Sequence, residues 1–338
     1  MSFFQSAEHI IEITNNLPIS STKHKAEARD RQAQLTKPPG SLGKLEDLAV
    51  WLAGWQGTAR PQISNGQCLV FAGNHGVVAQ GISPFPAEVT HQMVLNFEAG
   101  GAAINQLCRE AGLRLTVKAL DLDKPTRDMS QTTAMDEDEV LAAMNVGADA
   151  LDDSCDYLVV GEMGIGNTTT AAALSMARFG GDAGRWVGSG TGLDADGVAH
   201  KAKIVDQIFA VHGTKNSDPV SLLAACGGRE LAAIFGAVLA ARMRSIPVML
   251  DGFISSAAAA ALTAGDKLDV LDHCEISHMS AEPGHLRLAV ALRKQPVVDL
   301  GMRLGEGSGA ATATLLVRAA IATHNGMATF AEAGVSTA

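Results

Sequence analysis

The stretch YLVVGEMGIGNTTTAAALSMA (157–177) decides how the rest of the chain is read. It opens with an apolar run of strand length, YLVVGEM (157–163), passes through a glycine-rich turn, and continues as a small-residue helical stretch over 168–178. Strand, glycine turn and helix in that order form the repeating unit of a parallel sheet with crossover helices. The turn GEMGIGNT (161–168) also comes close to the phosphate-binding pattern G-x-x-x-x-G-K-[ST]. Gly161, Gly166 and Thr168 keep its spacing, but Asn167 stands where the lysine belongs and Glu162 places an acid inside the loop.

The same unit recurs along the chain. Further apolar runs are CLVFAG (68–73), LTVKAL (115–120), RWVGSG (185–190) and IPVMLDG (246–252), with CEISHMS (274–280) a weaker one. Helical stretches fall at 100–111, 197–210, 228–241, 254–264 and 282–294. The expected fold is α/β, a Rossmann-like, mostly parallel sheet flanked by helices, with ligands beyond the carboxyl ends of the strands. Residues 1–60 read differently, as helical and polar. Leu42, Leu45, Leu48, Leu52 and Trp55 recur at helical spacing after the loop Lys37-Pro38-Pro39-Gly40, with Ser41 as the expected N-cap. The acidic segment 121–139 reads as a surface loop whose last residues, Asp136–Glu139, suit the first turn of a helix.

The bulk properties narrow the function. The 338 residues are 47% hydrophobic and 18% charged, ordinary for a globular chain with room for two domains or one large domain and an appendage. A net charge of −10 without a Lys/Arg run argues against nucleic acid as a partner. The five cysteines (Cys68, Cys108, Cys155, Cys226, Cys274) are odd in number, widely spaced and free of zinc patterns, which suits a reduced, cytoplasmic protein. The N-terminal segment has no basic region followed by an apolar run, so no secretory signal is expected. The Ala-rich run 253–264 is too short to span a membrane.

Four glycine turns open directly into helices: 164–174, 188–197, 226–234 and 305–316. Any one of them is equally served by tight packing. Four in one α/β chain point to a nucleotide or phosphosugar held by backbone N–H groups at helix N-termini. Without the P-loop lysine, a lone monophosphate needs only those N–H groups and one more distant cation. Lys201 is the candidate cation, an exposed helix lysine being its alternative reading, and Lys203 is the solvated one. Asp152-Asp153 precedes the strand 157–163, the wrong side for a metal–diphosphate pair, and reads as a loop pair. Glu162 and Glu306 are carboxylates in glycine turns, suited to a general base. His75 is open to two readings, ligand contact or structural loop residue. His273, His278 and His285 lack H-E-x-x-H spacing, so neither a metal centre nor a cofactor is expected.

The segments KPPGSLGKLEDLA (37–49), FAGNHGV (71–77), GEMGIGNTT (161–169), GSGTGLD (188–194), SHMSAEPGH (277–285) and DLGMRLGEGSGAA (299–311) carry a resemblance that spans nearly the whole chain. In these the chain resembles the nicotinate-nucleotide:dimethylbenzimidazole phosphoribosyltransferase family, which makes the lower-ligand nucleotide of cobalamin. The resemblance implies transfer of 5-phosphoribose from nicotinate mononucleotide to 5,6-dimethylbenzimidazole, with inversion at the anomeric carbon. It implies that Glu306 takes the benzimidazole proton and that Glu162 is a second acid at the ribose. Gly164, Asn167, Thr168, Gly190 and Lys201 match positions that hold the nucleotide, chiefly its phosphate. Asp251, Ser280 and Gly307 fall to the same pocket, and Gln80, Met163, Met302 and Leu304 to the flat base, although the Met and Leu residues read equally well as core. The family's S-x-Y-P is Ser83-Pro84-Phe85-Pro86 here, so Phe85 lacks the phenolic hydroxyl and base preference is open: adenine, another benzimidazole or a phenol are alternative acceptors, and non-catalytic nucleotide binding is a third reading. A homodimer is implied. So is a smaller helical domain drawing on residues 1–60, beside a large α/β domain over 61–300 with the active site, followed by the catalytic glycine-rich turn and C-terminal helices of 301–338.

Overall fold

Five short apolar segments pair in one parallel sheet: β1 (Gly66–Ala72), β2 (Arg114–Ala119), β3 (Tyr157–Met163), β4 (Val248–Leu250) and β5 (Cys274–Ile276). The structure, a computed structural model, describes residues 2–213 and 218–336. The strand order is β2-β1-β3-β4-β5. The chain therefore leaves β1 toward one edge and returns to build outward in the other direction from β3. The reversal lies between β1 and β3, whose ends are level, with Ala72 opposite Met163.

The central strands are apolar throughout because both of their faces are covered. Leu69, Phe71, Leu158, Val160, Val248 and Leu250 join the core on one side, and Cys68, Val70, Tyr157, Val159 and Met249 join the core on the other. This alternation is the period-two geometry of a strand. The helices Glu137–Ala150, Asn167–Phe179, Arg229–Met243 and Phe253–Ala260 cover the first face. Lys44–Gln56, Ala103–Ala111 and Ser308–Gly326 cover the second. The two ends of the chain meet there. Arg31, on the helix Thr22–Gln34, donates to the carbonyls of His324, Asn325 and Met327 at 2.7, 3.2 and 3.0 Å, and Leu35 bridges to Thr329.

Two local expectations are corrected. RWVGSG is not a strand: Ala183–Arg185 form a 3-10 turn, and the segment links two helices with Trp186 and Val187 buried in the core. Its apolar residues pack as a loop because Trp186 Nε1 is held by the Gly180 carbonyl at 2.9 Å and Gly190 turns through φ 54°. The helix Lys44–Gln56 is capped at Gly43, not Ser41, since a positive φ of 53° at Gly43 redirects the chain two residues later. The acidic segment does lead into a helix, with Asp136 as its N-cap and Glu139 completing a capping box. Asp152 is tied to Ser154 and Arg114 and Asp153 to Arg244, a loop pair as read. All five cysteines are free and buried. Among the described residues no helix is long and apolar enough to cross a membrane.

Candidate active site

A cavity of about 280 Å³ opens beyond the carboxyl ends of β3, β4 and β5, lined by Glu162 and by Gly305, while Glu306, the next residue of that turn, lies buried just behind the lining. Glu162 is the penultimate residue of β3, and Glu306 lies in the turn before the helix Ser308–Gly326. Gly161 lets the turn sit on the strand, because a Cβ there would lie 2.2 Å from Gly307 N and 2.5 Å from Glu306 C. The Glu306 N–H then donates to the Glu162 carbonyl at 3.1 Å. Gly305, Glu306 and Gly307 all have left-handed backbones, φ 85°, 65° and 83°. For Glu306 this is a strained conformation of the kind that accumulates at functional sites.

Asp251, after β4, fixes that turn from behind. Its two oxygens accept the N–H groups of Gly307 (3.1 Å) and Ala310 (2.9 Å), so it caps the helix Ser308–Gly326. Burial pushes Glu162 up to about 8, with Asp251 and Glu230 adding to the shift and the Asn167 amide opposing it. Burial raises Glu306 to about 7, with Asp251 second, and raises Asp251 to about 7 against the N–H groups it accepts. Glu306 is 5% exposed and its Oε2 has no hydrogen-bond partner among the described residues. A carboxyl titrating near 7 with one oxygen uncommitted is suited to accept a proton at neutral pH.

The other end of the cavity is built for an anion. Asn167 and Thr168 begin the helix Asn167–Phe179 and line the cavity, so the positive dipole end of that helix lies against it. Asn167 Nδ2 donates to Glu162 Oε2, which joins the two ends. Asp194 caps the helix Ala195–His212 by accepting from Gly197 N, and this helix carries Lys201 inward. Lys201 is 1% exposed and its Nζ reaches Thr168 Oγ1 (3.2 Å) and the Gly188 carbonyl (3.1 Å). Burial pulls its pKa down and Glu282 opposes the shift. The lysine therefore stands one layer behind the wall. Lys203 is exposed.

Arg303 and Glu282 also line the cavity and were not singled out from sequence, and His278, weighed there only as a metal ligand, joins them. Arg303 Nη1 donates to the Gly190 carbonyl (3.1 Å), and Glu282 Oε1 accepts from Gly190 N (2.9 Å). A cation three residues before Glu306 in a glycine turn was a readable signal. Glu282, before Pro283, stands at the N-cap of the helix Pro283–Ala291, where an acid is ordinary and carries no functional signal of its own. Met163, Gly164, Gly190, Ser280, Leu304 and Phe85 line the same cavity, whereas Gln80 and Met302 do not. Gln80 Nε2 is held by Asp128 Oδ2 at 2.6 Å, and the Met302 carbonyl accepts from Ala281 N. Gly307 lies under the floor against Cys68 and Ile104. His273, His278 and His285 are buried, and among the described residues no group of three or more His, Cys, Asp or Glu is placed to hold a metal ion. A larger cavity, about 630 Å³, is lined by Lys25, Arg29, Asp47 and Trp51 of the N-terminal helices and includes neither Glu162 nor Glu306.

The arrangement offers donors for one phosphate at one end and proton-holding acids at the other. Known proteins agree with it. A family model described as phosphoribosyltransferase matches residues 18–335. The nicotinate-nucleotide–dimethylbenzimidazole phosphoribosyltransferase of Ruegeria pomeroyi is 58% identical over 312 residues, 92% of each chain. That of Novosphingobium aromaticivorans is 54% identical over 336 residues, 99% of each. Among solved structures, a Thermus thermophilus protein described as CobT superposes with a TM-score of 0.86 at 39% identity, covering 94% of this chain and all of its own.

Proposed function

Because the chain belongs to the nicotinate-nucleotide–dimethylbenzimidazole phosphoribosyltransferase family, we infer that it transfers 5-phosphoribose from nicotinate mononucleotide to 5,6-dimethylbenzimidazole. The products are α-ribazole 5′-phosphate, the lower-ligand nucleotide of cobalamin, and nicotinate. The observation that carries this reading is the stacked pair of buried glutamates, Glu306 N–H on the Glu162 carbonyl, with Glu162 and Gly305 lining one end of a cavity whose other end suits a monophosphate.

The chemistry follows from that layout. The phosphate lies against the N-terminus of the helix Asn167–Phe179, with Thr168, Gly190 and Arg303 around it and Lys201 behind. The glycosidic nitrogen of the donor is a cationic pyridinium, so nicotinate departs with the bonding electron pair as a neutral ring. Glu162, protonated to about pH 8 in the fold, contacts a ribose hydroxyl, or gives up that proton beside the cationic ribose and steadies it by charge. One benzimidazole nitrogen forms the new bond to the anomeric carbon from the opposite face. The proton on its other nitrogen passes to Glu306. Met163 and Leu304 offer apolar surface to the flat rings. Asp251 works at one remove by holding the Gly305–Gly307 turn, and Gln80 and Met302 at most shape the surroundings.

Phe85, half exposed at the cavity, favours a second reading of the acceptor side. It offers a ring face without a hydroxyl, so a different flat base fits the same chemistry. Incubation with nicotinate mononucleotide and a panel of bases, with products identified by mass, tests both. Dimethylbenzimidazole is the expected preferred acceptor, and tight nucleotide binding with no nicotinate release for any base would overturn the enzymatic reading.

The assembly is proposed to be a homodimer, as the family resemblance implies, and light scattering on the purified chain reads it. The smaller helical unit is proposed to combine residues 1–60 with part of 301–338, supported by the Arg31 contacts to the C-terminal segment. A reducing compartment, the cytoplasm, suits five free cysteines.

A further inference from the structure

His75 and Glu230 form a buried pair that the chemistry above does not use. His75 Nε2 lies 2.5 Å from Glu230 Oε1, and both side chains are fully shielded from solvent. The pair occupies the crevice at the reversal of strand order, against Gly73 after β1 and Gly164 after β3. Three glycines make room for it. A Cβ on Gly73 would lie 2.4 Å from Glu230 Oε2, one on Gly228 2.3 Å from His75 Cε1, and one on Gly164 2.9 Å from Glu230 Oε1. His75 Nδ1 meets Thr170 Oγ1 at 3.2 Å, in the first turn of the helix Asn167–Phe179, and its Cβ faces Gly166. The imidazole thus touches the Gly164–Gly166 turn and the helix it feeds. Glu230, at the start of the helix Arg229–Met243, orients the ring.

We propose that His75 and Glu230 are positioning residues for the donor nucleotide: they seat the Gly164–Thr168 turn from below and so set the N–H groups that receive the phosphate. The inference rests on the transferase reading above. It explains why the reversal crevice, the usual ligand site of such sheets, is filled with side chains while the cavity lies to the β3–β5 side. It also assigns a cause to FAGNHG and CGGRE, two glycine motifs none of whose residues lines the cavity. Among the described residues, the groups acting on the acceptor, Glu306, Leu304 and Phe85, make no hydrogen bond to the pair.

The test compares wild type, Glu230→Gln and Thr170→Val for melting temperature, kcat, and KM for each substrate. In folded Glu230→Gln, the KM for nicotinate mononucleotide should rise about ten-fold while that for dimethylbenzimidazole stays within about two-fold, because a shift of the turn misplaces only the donor. Thr170→Val, which removes one ring contact without changing volume, should show the same split at about three-fold. If Glu230→Gln does not fold, the valine variant decides. Wild-type constants in a folded variant, or equal losses on both substrates, overturn the proposal. Absence of turnover in wild type would instead count against the transferase reading.

Discussion

Replacing Gly161 by alanine is the sharpest way to ask whether the two glutamates work as a unit. The new methyl would lie 2.2 Å from Gly307 N and 2.5 Å from Glu306 C. Both are backbone atoms, so no side chain can swing aside. Opening the 2.2 Å approach to the 3.4 Å at which ordinary contact begins moves the turn away from β3 by about 1.2 Å. Two hydrogen bonds oppose the move, Glu306 N to the Glu162 carbonyl and Gly307 N to Asp251 Oδ2. Overpacking of this kind costs about 1–3 kcal/mol of stability, which a domain of this size can absorb. Displacing a reacting group by about 1 Å lowers turnover on the order of 100-fold. The assay is steady-state nicotinate release, with binding of nicotinate mononucleotide measured separately by calorimetry. The expected result is a folded variant that binds the nucleotide within a few-fold of wild type and turns over about 100-fold more slowly. A folded Gly161→Ala protein with wild-type kcat would refute the idea that contact between the strand and the turn sets the position of Glu306.

Other outcomes follow from the same geometry. Glu162 keeps its proton to about pH 8 in the fold against 4.5 for a free carboxyl, so the folded chain binds that proton more tightly than the unfolded one. Its contribution to stability is therefore complete below 4.5 and is lost as pH rises through about 8; Glu162→Gln should flatten the fall of melting temperature across that window, and an unchanged slope would count against a protonated Glu162. Lys201→Met, which keeps the buried volume and removes the charge, should weaken nucleotide binding about 10- to 100-fold and leave the KM for the base unchanged, read by calorimetry and kinetics. Turnover should rise with pH through about 7 as Glu306 loses its proton, and a pH-rate profile flat from 6 to 8, about one unit to either side of that value, would remove it as the base.

The sheet was legible where a strand is buried on both faces. YLVVGEM is β3 residue for residue, because every position from Tyr157 to Glu162 is shielded and only apolar or glycine-turn residues fit. The same signature misled at RWVGSG. An apolar pair followed by glycines also arises where a loop between helices buries Trp186 and Val187, and nothing local separates the two cases. The strands β4 and β5 are only three residues long, Gly252 being already the N-cap of the helix Phe253–Ala260 and the carbonyl of Ser277 turning to accept from Val298 N–H. In the site, the residues that carry chemistry were visible as types in glycine turns, and Lys201 proved to be an inward-facing cation. Their juxtaposition was not visible. It depends on Gly161 admitting another turn, and on Asp251 choosing backbone N–H groups over the cavity. Arg303 and Glu282 converge on Gly190 from a different part of the chain, which only the folded path reveals.

The proposed reaction assigns Glu306 to receive the acceptor's proton in a site that binds the donor independently of it. The most direct test is Glu306→Gln, assayed for turnover with nicotinate mononucleotide and dimethylbenzimidazole and for nucleotide affinity by calorimetry. The expected result is kcat reduced on the order of 10²- to 10⁴-fold with affinity for the nucleotide retained. Near-normal turnover in that variant would contradict it.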